Sequence, residues 1–424
     1  MFTLPRSPLK DEVSLQSQRY YRWILVAAFV LRLIWAIAVP VEPVSDSNAY
    51  DTFAKNLANC QNYGWDCDNP TAYWPVGTSF IYALLYRTFG HHYAPIVGLN
   101  LLLGLATIWL SMYLAERWFN RRVAAITGVL LALWVSQIQF VTVLASEPIF
   151  TFLIVAALAL WEAKGIRFFL KAVLLGVVLA AASYVRPTAL LAPVLLMFLR
   201  YMKTKEILRS LASAVIMLTV MALLIAPWTL RNTQAFGRAV TISTNGGANL
   251  WMGNNPASSG GYMDLPPETK GMNEAERDRY LKDLAIAHIK ERPDLFAIRT
   301  VKRVVDTYSR ESIGVAWNET GLSRRYGNWI LLPLKILNQL YWLPVLGLSL
   351  IGVFLCIQLN GWLAAISNPS ILFWGYFTAV NAVIVAQDRY HFPSIPMIGM
   401  LAAAALIYLL DQMRGGNRKV NGGW

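Results

Sequence analysis

The stretch ILFWGYFTAVNAVIVA, residues 371–386, runs straight into Gln387-Asp388-Arg389-Tyr390-His391, and a second apolar run follows over 393–411. An acid, an arginine, an aromatic and a histidine are thus knotted between two oily segments. The pattern recurs. Ser146-Glu147-Pro148, Tyr184-Val185-Arg186-Pro187 and Trp228-Thr229-Leu230-Arg231-Asn232 interrupt other apolar runs, and Ser45-Asp46-Ser47-Asn48-Ala49-Tyr50 follows the first. Runs of about 20 apolar residues match the thickness of a bilayer core. If the runs are membrane spans, these polar interruptions emerge on the same side, and a site can be built there.

Composition supports the membrane reading. Of 424 residues, 56% are hydrophobic and only 14% charged, where a soluble chain carries about a quarter. Sixteen Trp and nineteen Tyr supply the amphipathic aromatics that favour membrane interfaces. The net charge of +13 does not point to nucleic acid, because Lys and Arg fall mainly in loops, where they set topology. Arg19 and Arg22 before the first run, and Ala36-Ile37-Ala38 near its end, resemble a cleaved signal. Arg32 inside that run argues for a retained helix instead.

The predicted fold is all-α and polytopic. Ten spans are expected, near 23–41, 94–115, 123–143, 147–163, 168–185, 188–201, 210–229, 341–358, 371–386 and 393–411. Basic residues then fall on one side in five separate segments: the N-terminus (Arg6, Lys10, Arg19, Arg22), Arg117 to Arg122, Lys164 to Lys171, Arg200 to Arg209, and the C-terminus (Arg414, Arg418, Lys419). That side is assigned to the cytoplasm. The organisation expected is a cytoplasmic segment 1–22, a membrane module 23–229 containing a first external loop 42–93, a second external segment 230–340, spans over 341–411, and a cytoplasmic tail 412–424.

Within the first loop, Asn48–Asn59 reads as a short amphipathic helix, and Tyr73–Phe89 as a helix lying in the interface. In the second segment, Asn245 to Tyr262 is rich in Gly and Asn and reads as turns. Asn273–Lys290 reads as a helix capped by Asn273, and Pro293 opens another.

Asp46 is a candidate general base for a hydroxyl at the membrane surface, against the plain alternative of a helix cap. Asp51 is a weaker candidate. Glu147 either caps the helix that follows or faces an external cavity. Arg186, Arg231 and Arg389 offer bidentate, permanently charged contacts to phosphate, the alternative being snorkelling to headgroups. Three of them in separate interruptions, one beside Tyr390 and His391, point to a phosphate-bearing ligand. Arg32 is an intramembrane charge and so a functional candidate or half of a structural pair. Cys60 and Cys67 are spaced for a small disulfide in an oxidising exterior. The four histidines make no zinc pattern, and no Walker loop or dinucleotide fingerprint is present. Asn318-Glu319-Thr320 matches the glycosylation acceptor pattern.

Five places together resemble the C-type integral-membrane glycosyltransferase (GT-C) superfamily, in the branch of bacterial protein O-mannosyltransferases and lipid A aminoarabinose transferases. They are Asp46 with Tyr50, Trp74-Pro75-Val76-Gly77, Glu147, the Pro227 to Asn232 segment running into the Gly/Asn-rich stretch, and Arg389 to Pro393. The likeness covers most of the chain. It implies a polyprenyl-phosphate sugar donor and an acceptor that is a glycan, lipid or protein. It also implies inversion at the anomeric carbon on the external face of a bacterial inner membrane. Asp46 falls on the base and Glu147 on a second acid. Arg186, Arg231, Arg389 and Tyr390 fall near the donor phosphate, and Tyr50, Asp51, Trp74, Asn249, Asn254, Asn255 and His391 are candidates for substrate contact. Trp74 stands where some relatives have a lysine. A divalent cation is left open. A transporter or flippase of lipid-linked glycans is the alternative, but the polar residues cluster at one interface rather than at the midplane of repeated halves.

Overall fold

The structure is a computed structural model describing residues 13–415. Arg6, Lys10, Arg418 and Lys419, expected to hold the tails on one side, lie outside those residues. Helix α1 (Val13–Ala38) leads to α2 (Asp46–Cys60) and α3 (Gly77–Phe89) in the first large loop. Then come α4 (Ala94–Trp118), α5 (Arg121–Leu133), α6 (Val135–Gln139), α7 (Ser146–Glu162), α8 (Phe168–Val185), α9 (Ala192–Thr204) and α10 (Ile207–Phe236). The second large segment holds α11 (Gly246–Asn254), α12 (Glu274–Glu291), α13 (Pro293–Tyr308), α14 (Ile313–Ala316) and α15 (Glu319–Tyr326). Helices α16 (Leu331–Asn360), α17 (Trp362–Ile366), α18 (Pro369–Val383) and α19 (Ile395–Gly415) follow. Among the described residues, the only β feature is a bridge between Gly64 and Pro70.

Six helices are long and apolar enough to cross a bilayer, or seven if the pair over Arg121–Leu133 and Val135–Thr142, bent by 53°, is one span. Among the described residues, length and composition thus support six or seven of the expected ten spans. Helices do stand at the other three places, but α7 has 17 residues, α9 has 13 and α18 has 15. At about 1.5 Å per residue these fall short of the roughly 30 Å bilayer core. Apolar runs alone do not distinguish a span from a buried helix, and α7 is the buried kind, with 11 of its 17 residues enclosed.

The last helix is the centre of the molecule. In α19, Ile395, Met397, Ile398, Met400, Leu401 and Ala402 are all buried, the all-round apolar surface of a core helix. It packs against α16 and α5. Against α16 the approach is close enough that a Cβ on Gly352 would meet the Leu401 carbonyl oxygen at 2.4 Å.

Arg32 finds its role at the bend between α5 and α6. Its guanidinium donates from Nη2 to the Leu131 carbonyl at 3.0 Å and from Nη1 to the Ala132 carbonyl at 3.1 Å. These are carbonyls of the last turn of α5, which has no further helical N–H to satisfy them. The buried cation therefore caps a broken helix inside the membrane module.

Two local expectations change. Trp228–Asn232 interrupts the apolar run but not the helix: α10 runs through it to Phe236 and ends at Gly237, in the left-handed region at φ 67°. With 30 residues, about 45 Å, α10 outlasts the bilayer core and carries Arg231 outward on a helix. The Gly/Asn-rich stretch is also partly helical, as α11. Its glycines serve close packing: a Cβ on Gly247 would meet the Asp278 carbonyl oxygen at 1.8 Å, and one on Gly253 would meet the Ile384 carbonyl carbon at 2.9 Å. Helix α2 begins at Asp46, so the amphipathic stretch starts two residues earlier than read. Asn273 accepts from the Ala275 N–H at 3.0 Å and caps α12.

Gly352→Val is expected to push α16 off α19 and cost about 1–3 kcal/mol, the range for overpacked cores, seen as a lower unfolding temperature in detergent. Gly347→Val, whose Cβ meets nothing within 4 Å, is expected to leave that temperature unchanged.

Candidate active site

Arg389 stands in the 3-10 turn Asp388–Ser394 that leads into α19. The turn is fastened by Asp388, whose Oδ2 accepts from the Ser312 N–H at 3.0 Å and hydroxyl at 2.8 Å. Arg389 donates from Nη2 to Asp46 Oδ2 at 2.6 Å, from Nη1 to Glu147 Oε1 at 3.5 Å, and from Nε to Gln387 Oε1 at 2.7 Å. Its guanidinium also lies 4.4 Å from the ring centre of Trp317, a cation–π contact. Arg186, at the end of α8, donates from Nη2 to the same Glu147 oxygen at 2.5 Å and from Nε to Ser146 Oγ at 3.0 Å. Two cations and two anions from α2, α7, α8 and the head of α19 thus form one network. Charges at this depth persist only when paired and hydrogen-bonded.

Accessibility separates the two acids. The Glu147 side chain is 0% exposed and that of Asp46 is 22% exposed. A cavity of ≈ 1530 Å³ is lined by Asp46, Arg186 and Arg389 but not by Glu147. The expectation that Glu147 faces the cavity is therefore corrected: it lies behind the two arginines and holds them. Asp46 opens α2 directly after Ser45, whose φ of 52° and ψ of −127° are sparsely populated for a residue with a side chain.

Tyr50, Trp74, Asn249 and Tyr390 also line the cavity. Burial pushes the Tyr50 hydroxyl above its ordinary range, and the neighbouring Asp46 and Glu147 add to the shift, so Tyr50 remains a proton-bearing donor. Beside the arginines the wall turns apolar, through Val185, Pro187, Leu190, Val380 and Ile384.

Several candidates are engaged elsewhere. Arg231 donates to the backbone carbonyls of Thr71 at 2.8 Å and Tyr63 at 3.1 Å; it pins the first loop to α10 rather than joining the other two arginines. Asp51 accepts from Tyr86 at 2.6 Å, pairs with Lys55 at 3.0 Å and contacts His91 Nε2 at 3.0 Å. Burial would raise its carboxyl, but these partners outweigh it and hold Asp51 below the usual carboxylate range. His391 stacks on Trp342 at 4.3 Å and reaches Glu311 at 3.2 Å, away from the cavity. Asn254 donates to the Val383 carbonyl and accepts from Arg303. Asn255 donates to the Trp251 carbonyl and to Met263 Sδ. Cys60 and Cys67 are joined by a disulfide. Asn318 is buried and donates to the Gln139 and Gly314 carbonyls, which leaves no room for a glycan.

The structure also brings in residues with no sequence signal of function. Gln387 and Ser146 are second contacts of Arg389 and Arg186. Tyr73 on the first loop, and Arg277 and Lys282 on α12, face the cavity. The charged surface of α12 reads in sequence as an ordinary solvated helix. Glu311, buried, accepts from Trp134 at 2.8 Å and Ser136 at 2.6 Å, tying the α5–α6 bend to the second external segment.

A divalent cation does not fit the two acids as they stand. The place between Asp46 and Glu147 is taken by the Arg389 guanidinium, and Arg186 takes the remaining approach to Glu147 Oε1. No group of three His, Cys, Asp or Glu able to hold a metal occurs among the described residues.

No protein-family model and no curated protein sequence matches the chain. Solved structures do. One is an oligosaccharyltransferase of Archaeoglobus fulgidus in complex with Zn and sulfate, at 15% identity and TM-score 0.56, matching over 92% of this chain and 49% of that one. Another is the oligosaccharyltransferase AglB of the same organism, with an inhibitory peptide and a dolichol-phosphate, at 12% identity and TM-score 0.57, over 96% and 53%. ArnT of Cupriavidus metallidurans bound to undecaprenyl phosphate aligns at 12% identity over 94% and 81%, with a TM-score of 0.42. The chain spans about half the length of the oligosaccharyltransferases it matches. At such identities the likeness speaks of architecture alone: this integral membrane chain shares the fold of those oligosaccharyltransferases over most of its length.

Proposed function

We propose that the chain is a glycosyltransferase that takes a sugar from a polyprenyl-phosphate donor and transfers it, with inversion, to an acceptor hydroxyl on the external face of a bacterial inner membrane. The observation that carries this reading is the adjacency, in one cavity, of an apolar wall, two arginines and an accessible carboxylate. A lipid-linked phosphate needs the first two together. An acceptor hydroxyl needs the third. The dolichol-phosphate bound by AglB is in keeping with such a donor.

In this reading, the donor phosphate lies against Arg186 and Arg389, with Tyr390 beside both. The guanidinium of Arg186 is 5.8 Å and that of Arg389 is 5.5 Å from the Tyr390 ring centre. The incoming phosphate competes with Asp46 for Arg389. As Arg389 turns to the phosphate, Asp46 Oδ2 is released from its ion pair and is free to accept from the acceptor hydroxyl. The acceptor oxygen then forms a bond to the anomeric carbon while its proton passes to Asp46. The bond from that carbon to the phosphate oxygen breaks, and the electron pair leaves on the lipid phosphate, stabilised by the two arginines. Glu147 keeps both cations in place without touching substrate.

Asp46→Asn is expected to reduce transfer by about 10²–10⁴-fold, the usual share of a general base, while leaving affinity for undecaprenyl phosphate at least as high as in the native chain. The check is mass spectrometry of envelope glycans and glycolipids in a deletion strain carrying the variant. Restoration of the missing sugar at native levels would remove Asp46 as the base. Arg389→Ala is expected to weaken undecaprenyl phosphate binding about tenfold or more, and Arg231→Ala to lower thermal stability with little effect on that affinity. Equal affinities for the Arg389 variant and the native chain contradict the phosphate role. Glu147→Gln leaves the buried Arg389 and the half-buried Arg186 facing one carboxylate. A loss of about 3 kcal/mol or more is expected, measured as a shift in unfolding of the purified protein.

A further inference from the structure

The cavity is larger than one phosphate and one sugar require, and its far wall is charged. Helix α12 contributes Arg277, Asp278 and Lys282, and Glu274 at its first turn. Of the carboxylates on this wall, Glu274 and Asp278 are committed to holding the fold, and Asp283 pairs with Arg279. Glu274 accepts from Thr71 Oγ1 at 2.6 Å, the Ala72 N–H at 2.9 Å and Thr244 Oγ1 at 3.2 Å. Asp278 accepts from the Gly247 N–H at 2.6 Å, at the close approach of α11 that requires glycine. Burial raises the Asp278 carboxyl, opposed by that N–H and by Lys282 and Arg277. The cations are not committed in this way. Neither Arg277 nor Lys282 lies within ion-pair distance of a carboxylate among the described residues, whereas Arg279 pairs with Asp283 at 3.9 Å and Arg238 with Glu276 at 3.8 Å.

Arg277 is also positioned relative to the base. Its guanidinium lies 5.6 Å from the ring centre of Tyr73, and Tyr73 meets Trp74 edge-on at 4.6 Å. The Tyr73 hydroxyl is pushed up to about 12 by burial, with Arg277 lowering it and Asp46 among the charges that raise it. Tyr73, Asp46 and the α12 cations thus line one cavity, with Tyr73 against Arg277.

We propose that Arg277 and Lys282 form a second anion subsite, separate from the Arg186–Arg389 pair, which holds a phosphate group on the acceptor while Asp46 faces its hydroxyl. Resting on the glycosyltransferase reading, this makes the acceptor an anionic, phosphate-bearing molecule. Two positive subsites then flank one base: one takes the phosphate that leaves and the other a phosphate that stays.

The test uses the full chain in detergent with undecaprenyl phosphate saturating the first subsite. Binding of inorganic phosphate, of dihexanoyl phosphatidic acid and of dihexanoyl phosphatidylcholine is then measured by calorimetry. The native chain is expected to bind phosphatidic acid and not phosphatidylcholine. The double variant Arg277→Gln/Lys282→Gln is expected to lose about tenfold or more of that affinity while keeping its undecaprenyl phosphate affinity, and Lys282→Arg is expected to retain binding. Inorganic phosphate binding with the same loss in the variant supports a phosphate carried on a soluble or polymeric acceptor. Binding of the phosphatidic acid alone supports a lipid headgroup. No binding to the native chain, equal binding of phosphatidylcholine, an unchanged double variant, or joint loss of both ligands overturns the subsite. Failure of undecaprenyl phosphate to bind the native chain instead overturns the donor reading, which keeps the two failures apart.

Discussion

One ion-paired arginine joins the parts of this molecule that matter. Arg389 reaches from the head of the central helix to Asp46 on α2, in the first large loop, and to Glu147 on the buried helix α7. A guanidinium at this depth is tolerable only if every donor finds a partner and the charge is balanced. The surroundings meet that demand with Gln387, the Trp317 face and the shared carboxylate of Glu147. The balance has a functional corollary. The one carboxylate of the network that leans into the cavity is Asp46, so a ligand anion can exchange with it while Glu147 stays and preserves the geometry.

The same economy explains why charges are unevenly committed elsewhere. Arg32 satisfies the open carbonyls at the α5–α6 bend, Arg231 ties the first loop to α10, and Asp51 gathers Tyr86, Lys55 and His91. Each gives a buried backbone or carboxylate group the partner that water would otherwise supply. Other charges face the cavity. Its arginine pair lies next to an apolar wall, and its α12 cations include Arg277 against Tyr73. The polarity of the cavity is therefore graded from lipid-like to anion-binding across its width.

Much of this was legible in the chain. Long apolar runs fixed an all-helical membrane protein because lipid forbids unpaired backbone, and the polar interruptions marked one end of the bundle because charge is costly elsewhere. Asp46, Arg186, Arg389 and Tyr390 were legible from that logic. The number of spans was not, because an apolar run such as α7 can be covered by neighbouring helices as well as by lipid. Composition responds to burial alike whether lipid or protein provides it.

Which charge meets which was decided by tertiary structure alone. Sequence grouped Arg231 with Arg186 and Arg389, and Glu147 with Asp46, by residue type and side of the membrane. Packing turned Arg231 toward backbone carbonyls and placed Glu147 behind the arginines. It also brought α12, some 230 residues from Asp46 in the chain, onto the opposite wall. Hydropathy depends on composition and is local, so the chain alone determines where a residue stands relative to the membrane. An ion pair depends on distance between remote segments, so only the folded bundle determines which acid stays hidden and which is free to react.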